Sequence, residues 1–255
     1  MRTVNVDRYV TPLREGGSLP AIVEADDDGL YVLKFVGAGQ GARALVAELI
    51  SGEIARVLGL PVPEIVLAEL DGELARTEAD AEIQALIRAS VGTNLALDYL
   101  PGSLAFDPAA ETIDADLASR VVWFDAFITN VDRTARNTNL LIWHRRLWLI
   151  DHGASLVFHH GWDGRLDSAA KAFPSIKDHV LLPVATTIAA VDAELAARLT
   201  PAVFETILAE VPDHWLTLDD DAISADLRRR HYVDYFLARL AQRQAFVEGA
   251  IRARG

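Results

Sequence analysis

Residues Phe127 to Trp143 read FITNVDRTARNTNLLIW and set Asp132, Arg133, Asn137 and Asn139 between an apolar run and a strand-like run. A further acid, Asp151, ends the next apolar run, LWLIDHG. An aspartate with an asparagine five positions on, and a second aspartate one hairpin away, bring three oxygen-bearing side chains to one hairpin. Magnesium prefers oxygen ligands, takes few of them from protein and fills its remaining positions with water and phosphate oxygens. Phosphoryl transfer needs little more: a carboxylate near the attacking hydroxyl, an Asn and an Asp on the metal, and a cation on the phosphates. The plain alternative is a solvated loop in which Asp132 is only an Asx-turn residue. That alternative leaves Asn137 and Asp151 as two further coincidences.

The elements around these residues fall into two groups. LPAIVEAD and LYVLKFV are runs of branched and aromatic residues separated by DDDG, which predicts an antiparallel strand pair. ARALVAELISGEIARVLGL has helical spacing and stops at Gly59 ahead of Pro61. EIVLAELDGELARTE predicts a second hairpin turned at Asp71-Gly72, and NLALDYLPG a strand running into a connector. From Asp114 onward the periodicity is helical: LASRVVWFDAFITN, then LAARLTPAVFETILAEV, then one long terminal helix from about Ala222. Between them NLLIWHRRLWLID predicts one more hairpin. The expected fold is therefore α+β, with a small β-rich lobe over residues 1–100 and a larger helical lobe over 101–255. A cleft between two such lobes is a common nucleotide site.

Composition sets limits on function. The chain has 255 residues, 51% of them hydrophobic, enough to bury one large core or two. No run of about 18 apolar residues and no leader-like N-terminus is present, so the expectation is a cytoplasmic protein that does not touch a membrane. The absence of cysteine removes disulfides and thiolate nucleophiles. A net charge of -13 opposes direct nucleic-acid binding, and a polyanion such as ATP needs a local cation cluster and a metal. The seven histidines show no zinc spacing, and no GxSxG elbow for a serine hydrolase occurs.

In protein kinases a catalytic aspartate precedes a metal-binding asparagine by five residues, and a strand then leads to a metal-binding aspartate before glycine. DRTARN and LIDHG follow that order. Together with EGGSLPAIVEADDDGLYVLKF, GQGARALVAELISGEIARVLGLPVPE and DYLPG, they make the chain resemble the HipA-family kinases, a protein-kinase-like branch related to phosphatidylinositol kinases. The matching motifs cover Glu15 to Ser155; the last hundred residues carry none. The resemblance implies Asp132 as the acceptor of the hydroxyl proton, and Asn137 and Asp151 as the holders of Mg2+. It also implies the phosphate loop at Gly16, Gly17 and Ser18, with the adenine edge met around Asp98, Tyr99 and Leu100. GAGQG is a competing phosphate loop, because it opens a helix. Thr134 departs from the family, whose members often carry His two residues after the aspartate.

Lys34 shares a strand face with Val32, read as the apolar face of an interior strand, where a lysine suits an ion pair to nucleotide phosphate and to a helix carboxylate; the bland reading is a snorkelling edge lysine. Helical geometry slightly favours Glu53 as its partner, and the resemblance favours Glu48 in LVAELI, which is the assignment adopted. The implied activity is transfer of the γ-phosphoryl group of Mg-ATP to a protein Ser or Thr, autophosphorylation included. Two alternatives stand beside it: a kinase of small-molecule hydroxyls, and a catalytically weak nucleotide-binding regulatory module.

Overall fold

The computed structural model describes residues 1–13, 19–39, 41–76, 78–160, 164–217 and 223–255. Within them the fold is mixed α/β, with eight α-helices and two sheets. The first sheet holds β1 (Thr3–Pro12), β2 (Ala21–Ala25), β3 (Leu30–Lys34), β4 (Ile65–Leu70) and β5 (Gly92–Asp98) in the order β1-β2-β3-β5-β4. Its pairs are antiparallel, with Ala21 opposite Leu33 and Lys34 opposite Leu95, except where β4 returns to β1 in parallel and closes the sheet, Val4 beside Ala68. The β2–β3 pair turns at DDDG as expected, with Asp28 in the left-handed region at φ 61.

Strand alternation explains why one sheet serves two cores. Val4, Val6, Val23, Tyr31, Leu33, Val66, Ala68 and Ala96 point into the smaller core. Helix α2 (Ala81–Ala89) adds Ile83 and Ile87 to it, and its N-cap Asp80 accepts from the backbone N–H of Glu82. Ile65, Leu95 and Leu97 face the other way, into the larger core. Helix α1 (Ala42–Val57) lies there, apolar on nearly every side because it packs on β4 and β5 and on helices of the C-terminal half. At Gly52 a Cβ would stand 2.3 Å from the terminal methyl of Ile65, so the absence of a side chain there lets that methyl pack against the helix.

The rest of the larger core is helical. α3 (Ala115–Ile128) begins at Asp114, whose carboxylate accepts from the N–H groups of Asp116 and Leu117, and ends on left-handed Thr129 at φ 55. α4 (Ile188–Arg198) and α8 (Gln244–Arg254) pack on it, α5 (Pro201–Ala209) and α7 (Ala225–Ala241) reach it through Phe204 and Phe236, and α6 (Asp213–Thr217) lies on α1 and α7. Phe127 stacks with Trp123 and Phe204 at 5.5 and 6.3 Å and lies 5.7 Å from Phe236. Arg239 is buried, and its guanidinium donates to the carbonyls of Ala126 and Phe127 at 2.6 Å and to those of Ala169 and Lys171 at 3.2 Å. A cation on the last carbonyls of a helix satisfies both their orphan lone pairs and the dipole. The second sheet joins β6 (Leu104–Ala105), β7 (Leu140–Trp143) and β8 (Arg146–Leu149), with a two-residue turn in which His144 and Arg145 both take positive φ.

Several elements differ from expectation. β1 and α2 were not anticipated. Asp71-Gly72 does not turn a hairpin: β4 runs into a 3-10 turn at Gly72–Arg76, because both edges of β4 are taken by β1 and β5. LAARLTPAVFETILAEV is two helices, since Pro201 bars αR backbone before it and Thr200 caps α5 by accepting from Val203 N–H. The expected terminal helix likewise breaks at Gln242-Arg243, where Arg243 Nε reaches Asp192 at 3.0 Å, and α8 folds onto α3 and α4. Among the described residues no helix is long and apolar enough to cross a membrane.

Candidate active site

The site is built on the end of β3, the middle of α1 and the two ends of the β7–β8 hairpin. Lys34 closes β3 with its Nζ 3.1 Å from Glu48 Oε2 and 2.5 Å from Asp151 Oδ1. Glu48 is fully buried on α1, and His152 Nδ1 lies 3.4 Å from its other oxygen. Burial pulls the Lys34 ammonium down, and the facing carboxylates of Glu48 and Asp151 outweigh it, so the lysine stays charged well above its ordinary range. Burial pushes the Glu48 carboxyl up, but Lys34 and then His152 hold it well below the usual carboxylate range. Glu53 points elsewhere and pairs with Arg56 at 3.1 Å. The apolar side of β3 is the one carrying Tyr31 and Leu33; Lys34 and Val32 share the half-covered side. Sequence alternation therefore paired the right residues and assigned them to the wrong face.

The loop after α3 carries the second half of the site. Asp132 Oδ2 accepts from Asn137 Nδ2 at 2.8 Å and from Asn139 Nδ2 at 3.1 Å, so the expected aspartate and asparagine meet directly. Asn137 has given its amide N–H to Asp132, which leaves its carbonyl oxygen as the acceptor. Asp151 and Asn139 both take left-handed backbone, φ 56 and 47. Asp151 is half exposed, and its second carboxylate oxygen has no hydrogen bond among the described residues. Two protein oxygens of this kind match the sparse, hard donor set that magnesium takes from protein.

A buried ion network, unforeseen from the sequence, braces this loop. Arg133 follows Asp132 and turns inward, 1% exposed, with Nε 2.6 Å from Asp125 Oδ2 and Nη1 donating to the Asn139 carbonyl. Its Nη1 also lies 3.4 Å from the Ile150 carbonyl, so one guanidinium spans the loop and the residue before Asp151. Asp125, on α3, also meets His179 Nε2 at 2.8 Å and Asn130 Nδ2 at 2.9 Å. Asn130 Oδ1 in turn accepts the N–H of Asp132 at 3.1 Å. Burial raises the Asp125 carboxyl, yet Arg133 and His179 together hold it well below the usual range. Thr134, where relatives often carry His, closes the turn instead: its N–H donates to the Asn137 carbonyl at 2.9 Å, and it forms a strand bridge to His179. Histidine support thus arrives from a distant segment. Asp125 was detectable as the one acid within the apolar run VVWFDAFI; His179 had no local signal.

The remaining expected residues are placed less fully. Gly16, Gly17 and Ser18 lie outside the described residues. In GAGQG the N–H groups of Gly37, Ala38 and Gly41 are spent on Ser90 Oγ, the Phe35 carbonyl and the Ala38 carbonyl, and Gln40 lies outside the described residues. At the connector, the Asp98 and Tyr99 N–H groups donate to the carbonyls of Glu64 and Leu30 at 2.8 and 2.9 Å, and Leu100 is buried. Burial and then Glu64 raise the Asp98 carboxyl.

A half-covered strand lysine is paired to a buried helix glutamate, and an aspartate is joined to an asparagine five residues on. The family model for HipA-like kinase matches residues 6–248, and the chain belongs to that family. It is accordingly a kinase, a phosphotransferase. Over 98% of its length and 97% of the other chain, the fold is similar to that of the Helicobacter pylori proinflammatory kinase CtkA, with TM-score 0.59 and 14% identity. The Golgi casein kinase, also solved with Mn/ADP bound, is a weaker likeness, with TM-score 0.46, 11% identity, and coverage of 96% of this chain and 73% of that one. No curated protein matches the sequence.

Proposed function

We propose that the chain is a two-lobed, ATP-dependent kinase that moves the γ-phosphoryl group of Mg-ATP to a hydroxyl, with protein Ser or Thr as the acceptor class. The lobes divide near residue 100, although α1 already shares the larger core with the helices that follow. The observation that carries this reading is the convergence of Lys34, Glu48 and Asp151 in one ion cluster, joined through Arg133 to the loop that presents Asp132.

In this reading Glu48, buried and charged, holds Lys34 against the nucleotide phosphates. Asn137 and Asp151 would hold magnesium, which when bound supplies neutralisation of charge on the phosphate oxygens. Asp132, kept in orientation by Asn137 and Asn139, accepts the proton of the attacking hydroxyl. Its half of the reaction needs geometry more than basicity, and the buried Arg133–Asp125–His179 network supplies that geometry. At the connector the Leu100 N–H would meet an adenine edge, since the Leu100 and Pro101 carbonyls already accept from Ser103 N–H and Trp143 Nε1.

The test is labelled ATP with magnesium, with and without protein acceptor. Transfer of label to serine or threonine that is lost in Asp132→Asn supports the reading; transfer that persists in that variant overturns it. Binding is separable, because a ligand at 100 times its dissociation constant adds about 2.7 kcal/mol to stability. Mg-ATP at millimolar concentration should therefore raise Tm.

A further inference from the structure

A groove of about 680 Å³ follows the outer edge of β8, between the segment that joins α1 to β4, the start of α3 and the turn of the β7–β8 hairpin. Its lining falls wholly among the described residues and shares none with the Lys34 cluster. Leu60, Val62, Ile113 and Leu117 make an apolar floor. Arg145 and Arg146 stand exposed at the rim, and neither guanidinium has a protein partner among the described residues. The acids nearby are already engaged. Asp114 caps α3 through the N–H groups of Asp116 and Leu117, Asp116 pairs with Arg120 at 2.6 Å, and Glu53 takes the third arginine of the groove, Arg56, at 3.1 Å. In a chain of net charge -13, two adjacent cations left open beside an apolar floor call for negative charge from outside.

The backbone adds a second requirement. β8 is the last strand of its sheet, and Leu149 N–H reaches from its outer edge to the Pro61 carbonyl at 2.8 Å. Antiparallel pairing turns alternate residues to the same edge, so Leu147 presents its N–H and its carbonyl to the groove, and no described residue bonds to either. An inorganic anion would satisfy the N–H and leave the carbonyl; an extended peptide backbone satisfies both. We propose that this groove docks an extended acidic segment of a partner protein. The segment pairs with Leu147, sets carboxylates against Arg145 and Arg146, and lays apolar side chains on the floor made by Leu60, Val62, Ile113 and Leu117. Side chains alternate between the two faces of a strand, so the segment that fits best alternates acidic with apolar residues. Arg145 takes φ 63 in a two-residue turn that favours glycine at such angles, which fixes a cation where glycine would be less strained.

The experiment is fluorescence anisotropy of a short labelled peptide of alternating glutamate and leucine, titrated with the whole protein. Control peptides carry lysine for glutamate, or serine for leucine. Saturable binding of the glutamate–leucine peptide is expected, weaker at high salt, with each control at least about tenfold weaker. Arg145→Glu and Arg146→Glu should each raise the dissociation constant about tenfold, the loss of one charge-assisted contact. Lys177→Glu, an exposed site outside the groove, makes the same change in net charge and should leave binding unchanged. If an arginine variant does not fold, the Leu147 amide of the intact protein carries the test: its resonance should shift and its hydrogen exchange slow when the peptide is bound. None of these readouts involves phosphoryl transfer, so the outcome is independent of the kinase reading. No binding at about 1 mM protein, equal binding of all three peptides, undiminished binding by the charge-reversed variants, or an unmoved Leu147 amide overturns the proposal. So does a concentration-dependent dimer in sedimentation that Arg145→Glu abolishes, since the groove would then hold a second copy of the chain.

Discussion

Replacing Asp125 with alanine would leave the Arg133 guanidinium buried with no opposing charge. In the intact protein that carboxylate takes Arg133 at 2.6 Å, His179 at 2.8 Å and Asn130 at 2.9 Å, and neither charged partner of the Asp125–Arg133 pair reaches water. Removing one member of a buried pair costs about 3–5 kcal/mol, a large share of the roughly 5–15 kcal/mol that holds a domain folded. At about 2–4 °C per kcal/mol for a chain of this size, Tm should fall by about 6–20 °C. His179→Gln should cost less, about 1.5–3 kcal/mol, because it removes one bond to a charged acceptor and leaves the ion pair. The pH dependence has a definite sign. Asp125 is held well below its ordinary value of 3.8, so its contribution is fully present above that value and is lost only as pH falls through the lower, folded value. The gap between wild type and Asp125→Ala, read by urea denaturation with circular dichroism, should therefore be flat from pH 8 to about pH 5 and shrink below pH 4. A loss under about 1 kcal/mol at pH 7 would refute the reasoning, since it would mean that water reaches Arg133 freely.

Other substitutions separate geometry from chemistry. Glu48→Gln should lower phosphoryl transfer and also destabilise the fold by about 1–3 kcal/mol, because Lys34 loses a fully buried partner; Glu53→Gln should do neither in the same assays. Asp132→Asn should cut transfer by about 10²–10⁴ while Mg-ATP still raises Tm. Asp151→Asn should weaken magnesium-dependent binding and turnover together, as read by calorimetry at several metal concentrations. Arg239→Lys keeps the charge but cannot reach four carbonyls, and should lower Tm by several degrees in a thermal scan.

What the sequence disclosed and what it withheld divide along physical lines. β2, β3, α1, β5, α3 and the β7–β8 hairpin were legible because each carries its own periodicity and its own turn or cap. β1 was passed over because its buried residues, Val4 and Val6, are only two, and most of the rest of the strand is exposed. The helix breaks at Thr200-Pro201 and Gln242-Arg243 depend on what lies alongside, which periodicity cannot register. Asp132 and Asn137 could be singled out because their spacing is local, and Lys34 and Asp151 because each follows an apolar strand run. The choice between Glu48 and Glu53 could not be made from the helix alone, since both lie near its apolar residues and only the position of β3 distinguishes them. His179 bonds across 54 positions to Asp125, and no spacing rule predicts a contact of that range.

Arg239 has a consequence for how the molecule comes into being. Its bonds to Ala126 and Phe127 span 113 and 112 positions, and they close the end of α3 from which the Asp132 loop departs. Domains assemble during synthesis at about 5–20 residues per second. A nascent chain would thus carry Lys34, Asp132 and Asp151 for several seconds before the arginine that closes the end of α3 exists. The loop itself is braced by Asp125, Arg133 and His179, all made earlier, so what waits for Arg239 is the closure of the helix end beneath it.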